Sequence, residues 1–132
     1  MELFENAVIT ISLDPEVPCL EWVAKDFLNS KQFRESELKS LEFYRQYKLQ
    51  HPELQWFVDA RNIGPISPRD TEWVAEEILP QFAKAGLRKE AFVIPESALG
   101  KLVLKNYRAQ SGLIIEIKAF TSAQKAKDWL KG

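Results

Sequence analysis

The sequence predicts an α/β fold: a mixed five-stranded sheet with an N-terminal β-hairpin and helices packed on it, in the order β-β-α-β-α-β-α-β-α. Three observations carry this reading. Residues 7–13 and 20–25 alternate in period two, the pattern of half-buried strands. Farther on, the runs 54–60 (LQWFVDA) and 90–95 (EAFVIP) are short and mostly apolar, as strands covered on both faces are, and 113–120 (LIIEIKAF) reads as the last strand. Between these runs lie segments with apolar residues three and four apart and with capping residues at their starts.

The elements follow in order. Ala7, Ile9, Ile11 and Leu13 share one face of the first strand, and Leu20, Trp22 and Ala24 share one face of the second. Asp14-Pro15-Glu16-Val17-Pro18 between them is a turn, because two prolines cannot continue a ladder. So short a link makes the pair antiparallel. Asn29 or Ser30 opens a long helix that runs to about His51, with Pro52 beyond it. Leu38, Leu41 and Tyr44, with Phe33 and Tyr47, give its inward stripe, and Glu35, Glu37, Lys39, Glu42 and Arg45 its solvated side.

After the strand 54–60 and a polar loop, Ser67-Pro68-Arg69-Asp70 reads as a helix start: a Ser cap, Pro at the first helical position, an acid three residues on. Val74, Ile78, Phe82 and Ala85 line that helix, Pro80 kinks or divides it, and Gly86 ends it. The strand 90–95 is followed by a short helix from Ser97 carrying Leu99, Val103 and Tyr107. The strand 113–120 leads to a helix capped near Ser122, with Ala123, Ala126 and Leu130 inward and Trp129 alongside. Strand–helix–strand links imply parallel neighbours and right-handed crossovers.

Composition narrows the function classes. The chain has 132 residues, the length of one domain, and its 18 basic against 19 acidic residues leave a net charge of −1. That balance, with no interleaving of basic and aromatic residues, gives no reason to expect nucleic acid. One cysteine, Cys19, and one histidine, His51, exclude an intrachain disulfide, a cysteine-based zinc site and a His-rich metal site. No metal and no cofactor are expected, since no glycine-rich phosphate cradle is present either. No apolar run is long enough to span a bilayer, and the acidic start Met1-Glu2-Leu3-Phe4-Glu5 is unlike a secretory signal, so a cytoplasmic protein is expected.

The richest polar segment is Asp59 to Asp70, with Asp59, Arg61, Asn62, Ser67 and Arg69 leading to Trp73. It follows the carboxyl end of a central strand, where open α/β sheets place ligands, and the helix start near Pro68 aims its positive end there. Capping accounts for Ser67 and Asp70, and an Asp59–Arg61 pair would tie the loop down. Trp73, in the first turn, is the most exposed of the four tryptophans on this reading, and it either packs over the sheet edge or serves as a partner-binding anchor beside Pro65 and Ile66. His51 has no nucleophile placed beside it, and Cys19 lacks the basic neighbour or helix N-terminus that activates a thiol. No catalytic residue is assigned.

The segment from Trp56 to Ser97, WFVDARNIGPISPRDTEWVAEEILPQFAKAGLRKEAFVIPES, and the ending FTSAQKAKDWLKG resemble the SpoIIAA-like, or STAS-like, small bacterial proteins. The element order agrees. The resemblance implies a non-enzymatic regulatory or protein-interaction module that binds a protein partner, with a homodimer among its forms. The best-studied members are switched by phosphorylation of a Ser in an Asp-Ser-Ser-Gly-like turn after the central strand. Here that motif is absent: Asn62-Ile63-Gly64-Pro65-Ile66-Ser67-Pro68 stands in its place, and Ser67 is the nearest hydroxyl. On this resemblance the loop Arg61–Arg69 and the next helix form the recognition surface. The similarity of the family's fold to CRAL-TRIO lipid-binding domains implies an alternative, a carrier of a small apolar ligand held between the sheet and the helix from Ser30.

Overall fold

The computed structural model describes residues 1–95 and 115–132. Its strands are β1 (Glu2–Glu5), β2 (Ile9–Asp14), β3 (Cys19–Ala24), β4 (Gln55–Asp59), β5 (Lys89–Val93) and β6 (Glu116–Phe120). Its helices are α1 (Ser30–Lys48), α2 (Pro68–Trp73), α3 (Leu79–Lys84) and α4 (Ala123–Lys131), with one π-helical turn at Val74–Ile78. The strands form one mixed sheet in the order β1-β2-β3-β4-β5-β6. The first three are antiparallel, and β3 through β6 are parallel.

The expected hairpin is present, with Asp14 facing Cys19 and Ile9 facing Ala24. The expected count of five strands is not: the described residues form six. The added strand is β1, so the order opens β-β-β-α. Asn6 makes the turn into β2 by accepting hydrogen bonds from the backbone N–H groups of Val8 and Ile9, at 2.9 and 3.0 Å. An Asx turn of this kind closes a hairpin without Gly or Pro. Four residues are too few for a periodicity signal. The helix expected from Ser97, with Leu99, Val103 and Tyr107, lies outside the described residues, as do the lysines at 101 and 105 and the start of the strand 113–120.

The period-two patterns build two cores. Ile9, Ile11, Leu13, Leu20, Trp22, Trp56 and Val58 point to one face, where Phe33, Leu41 and Tyr44 of α1, Val74 and Ile78 of the π turn, and Leu79 and Phe82 of α3 cover them. Trp56 stacks on Phe82 with ring centroids 4.2 Å apart, and Tyr44 meets Phe82 edge-on at 5.2 Å. Cys19, Phe57, Ala91 and Val93 point to the other face, under Ala126 and Leu130 of α4. Helices after β3 and β4 thus share one face. Two right-handed crossovers that advance along the sheet in one direction require this.

Capping follows the sequence closely. Asn29 and Gln32 form a capping box at the start of α1, Ser67 caps α2 and Ser122 caps α4. Gly86, at φ +110°, ends α3. The helix divided at Pro80 contains a wide turn ahead of the proline, in which the Leu79 N–H reaches back five residues to the Val74 carbonyl. Proline offers no N–H to the regular ladder, so the adjustment falls in the turn before it.

The phase of α1 differs from the expected one. Leu38 is 51% exposed and Glu37 only 5%. The buried positions are Phe33, Ser36, Glu37, Ser40, Leu41 and Tyr44. The helix therefore turns a partly polar stripe onto the sheet. Ser36 receives a hydrogen bond from Trp22 Nε1 (3.0 Å) and donates to the Phe33 carbonyl, and Tyr44 donates its hydroxyl to the Leu54 carbonyl.

Candidate functional site

The expected site lies at the carboxyl ends of β3 and β4. Asp59 is the last residue of β4 and is buried on the α4 side of the sheet, between Val23 and Val93 in the register. Arg61 folds back on it. Arg61 Nε donates to Oδ1 at 3.0 Å, Nη2 donates to Oδ2 at 2.7 Å, and the Arg61 backbone N–H also reaches Oδ1. This two-pronged fit matches guanidinium to carboxylate geometry. Donating to the Asp59 carboxylate holds the pKa of the Arg61 guanidinium above its ordinary value.

Beyond Arg61 the chain turns at Gly64, whose φ of +72° disfavours an L side chain. A Cβ there would stand 3.3 Å from the ring of Phe27. Phe27, in the loop after β3, is 51% exposed. Ile63 and Ile66 pack partly against the core from the same loop. Asn62, Pro65 and Arg69 are exposed.

Ser67, Asp70 and Trp73 belong to a second group, around the start of α2. Ser67 Oγ accepts the Asp70 backbone N–H at 3.1 Å. The buried Asp70 carboxylate accepts hydrogen bonds from Ser30 Oγ (2.8 Å) and Arg34 Nε (2.9 Å). Burial alone would raise its pKa, but hydrogen bonds from Arg34, Ser30 and Ser67 outweigh that and hold it below the ordinary carboxylate range. The Arg34 guanidinium lies 4.7 Å from the Trp73 ring centroid. Trp73, expected to be the most exposed tryptophan, is half-buried under that cation and packs against the core. Asp70 thus fastens α2 to α1. Among the described residues no hydrogen bond links this group to Asp59 and Arg61.

The strand order bears on ligand placement. The crevice that open α/β sheets offer forms where the order reverses and neighbouring connections leave for opposite faces. From β3 to β5 the order does not reverse, and α1 and α2 lie on the same face. The polar loop after β4 therefore follows an interior strand without lining a switch-point crevice.

His51 stands just past α1, where its backbone N–H caps the Tyr47 carbonyl. Cys19 is buried, and desolvation pushes its thiol far up, which keeps it protonated.

Two polar groups escaped sequence reasoning. Asp14, Cys19 and Glu21 bring potential ligand atoms within 4.8 Å of one another. Lys127 of α4 already occupies this spot, with its ammonium bonded to Asp14 Oδ2 (2.8 Å) and to Glu21. Burial would lower the lysine's pKa, but those two carboxylates raise it. Its Nζ also lies 5.3 Å from the Phe57 ring centroid. Asp14 and Lys127 are 113 residues apart, beyond any local pattern. The other group is on α1, where Glu37 Oε2 and Ser40 Oγ have no partner, as does Trp56 Nε1 on β4. Burial pushes the Glu37 carboxyl up to about 8.

Comparison with known proteins yields no match to a family model, a curated protein or a solved structure. No helix among the described residues is long and apolar enough to cross a membrane.

Proposed function

We propose that this chain is a non-enzymatic, STAS-like interaction module that captures a protein partner on the loop face at the carboxyl ends of β3 and β4. The observation that carries the reading is the preorganised pairing of an aromatic ring and an arginine around one loop. Phe27 rests on Gly64 with half its surface open, and Arg61 is fixed by Asp59 with 46% of its side chain open. Aromatic and arginine side chains held rigid in the free protein are the usual anchors of binding energy, because little freedom remains to be lost on docking. Asn62 and Arg69 supply a polar rim.

The test is capture from a lysate of the protein's own host, with wild type, Phe27→Ala and Arg61→Ala compared. A discrete partner retained by wild type and lost by both variants supports the reading, provided circular dichroism shows both folded. Capture unchanged in both variants overturns it.

A further inference from the structure

Strand β1 is the edge of the sheet, and among the described residues no strand pairs with its outer side. Alternate backbone N–H and C=O groups of such a strand point outward and offer a ladder to another chain. Directly beside this edge lies a groove of about 300 Å³ between β1 and the flank of α1. Its apolar floor is Phe4, Ile9 and Leu38, and Leu38 is the large apolar side chain that α1 leaves exposed. Glu35 and Glu42 stand on its helical wall.

Charge selects the occupant. Phe4 pairs with Ile11 and so faces the groove, whereas Glu2 and Glu5 pair with Ser12 and Thr10 and face the opposite side of the sheet. Acids therefore flank the edge on both faces. Glu5 has a cation in Lys25 at 2.9 Å, and Lys39 sits 5.2 Å from the centroid of the Phe4 ring. Glu2, Glu35 and Glu42 form no ion pair among the described residues. A second copy of β1 laid antiparallel across the edge would set Glu2 against Glu5, a like-charge pairing that disfavours self-association. An extended segment with apolar residues at alternate positions and lysine or arginine between them meets both demands. Its apolar side chains enter the groove beside Phe4, and its cations lie on the opposite face of the sheet with Glu2 and Glu5.

We infer that the β1 edge and the adjoining α1 groove form a peptide-binding site for an extended, basic–apolar alternating segment, which adds as a seventh strand. Strand addition draws affinity from main-chain hydrogen bonds and specificity from alternate side chains. The site is independent of the loop face at Phe27 and Arg61, and either can fail without the other.

The probe is a blocked Lys-Val-Lys-Val-Lys-Val-Lys peptide, titrated into the full chain with amide chemical shifts as readout. The expected result is saturable binding with shifts centred on β1 and on Leu38 and Lys39. Replacing the lysine after the central valine by proline removes a ladder donor, because the residues opposite Glu5 are those whose N–H groups face β1, and is expected to weaken binding about tenfold relative to alanine at that position. Glu2→Lys with Glu5→Lys, both at exposed positions, is expected to weaken it by about the same factor. The inference is overturned by any of four results. One is absence of saturable binding. A second is binding insensitive to proline, which marks charge attraction alone. The third is shifts located elsewhere or unmoved by the charge reversals. Concentration-dependent shifts of β1 without peptide, matched by a dimer in sedimentation, would assign the edge to a second copy and also overturn it.

Discussion

Glu37 sets up a quantitative test of the α1–sheet interface. The residue is buried, its Oε2 lacks a partner, and desolvation moves its pKa from 4.5 to about 8. The folded chain therefore holds a proton that the unfolded chain releases between those values. Stability must fall as pH rises through this window, because there the native state binds more protons than the unfolded one. Each pH unit is worth about 1.4 kcal/mol, so the carboxyl costs about 3 kcal/mol at pH 7 and about 4 kcal/mol at pH 8, relative to its protonated form. Glu37→Gln keeps the shape and removes the titration. Urea unfolding of both proteins at pH 5, 6, 7 and 8 isolates the effect, since the difference between them cancels other titrating groups. The two should be similar in stability at pH 5. By pH 8 the glutamine variant should be more stable by about 3–4 kcal/mol. A difference that stays constant across the series would refute the reasoning, because it would mean Glu37 is ionised and solvated in the folded state.

Other consequences are equally direct. Arg34→Ala removes a charged donor from the buried Asp70 carboxylate and leaves Trp73 uncovered; the cost should be about 1–2 kcal/mol at pH 7, discounted because Arg34 is partly exposed. That cost should shrink as pH falls below 3.8, where Asp70 protonates in the unfolded chain and the contribution of its lowered native pKa is progressively lost; acid unfolding of both proteins checks this. Gly64→Ala should cost about 1–2 kcal/mol from the left-handed backbone alone, and urea unfolding in a Phe27→Ala background should show how much of the total comes from the 3.3 Å approach to the ring. Lys127→Ala leaves Asp14 and Glu21 facing each other without a counter-ion and should lower stability by about 1–2 kcal/mol. Raising the salt concentration should narrow that gap, as thermal unfolding would show.

Much of this architecture is written in local chemistry. The Asp14-Pro15 turn, the Ser67-Pro68 helix start and the glycine at 86 each act through their own backbone, so the sequence announces them. The same holds for β4 and β5, whose apolar runs reflect burial on both faces. What stayed hidden is either too short or too distant. Four residues of β1 carry no period, and its turn is made by an asparagine side chain in place of Gly or Pro. The phase of α1 was misread because Leu38 suggested the buried side, while the helix buries Ser36, Glu37 and Ser40. Hydropathy cannot anticipate an interface that is partly polar. At the site, the Asp59–Arg61 clasp spans two residues and was legible, as was the Ser67 cap. Arg34 and Ser30 reach Asp70 across about 40 positions, and so the covering of Trp73 was not. Phe27 escaped notice because its importance depends on Gly64, a contact between two loops.

The sheet order β1-β2-β3-β4-β5-β6 has a kinetic meaning. Among the described residues each strand docks on the one that precedes it in the chain. The two hairpins close over short turns, whereas each parallel pairing waits for a crossover to be made and is the slower step. During synthesis the three antiparallel strands can assemble first, and each later strand then finds its place already waiting. The hazard is the growing edge. Until β4 arrives, β3 presents an open row of backbone groups beside Trp22 and Leu20, and a chain stalled at that point would expose a template for aggregation.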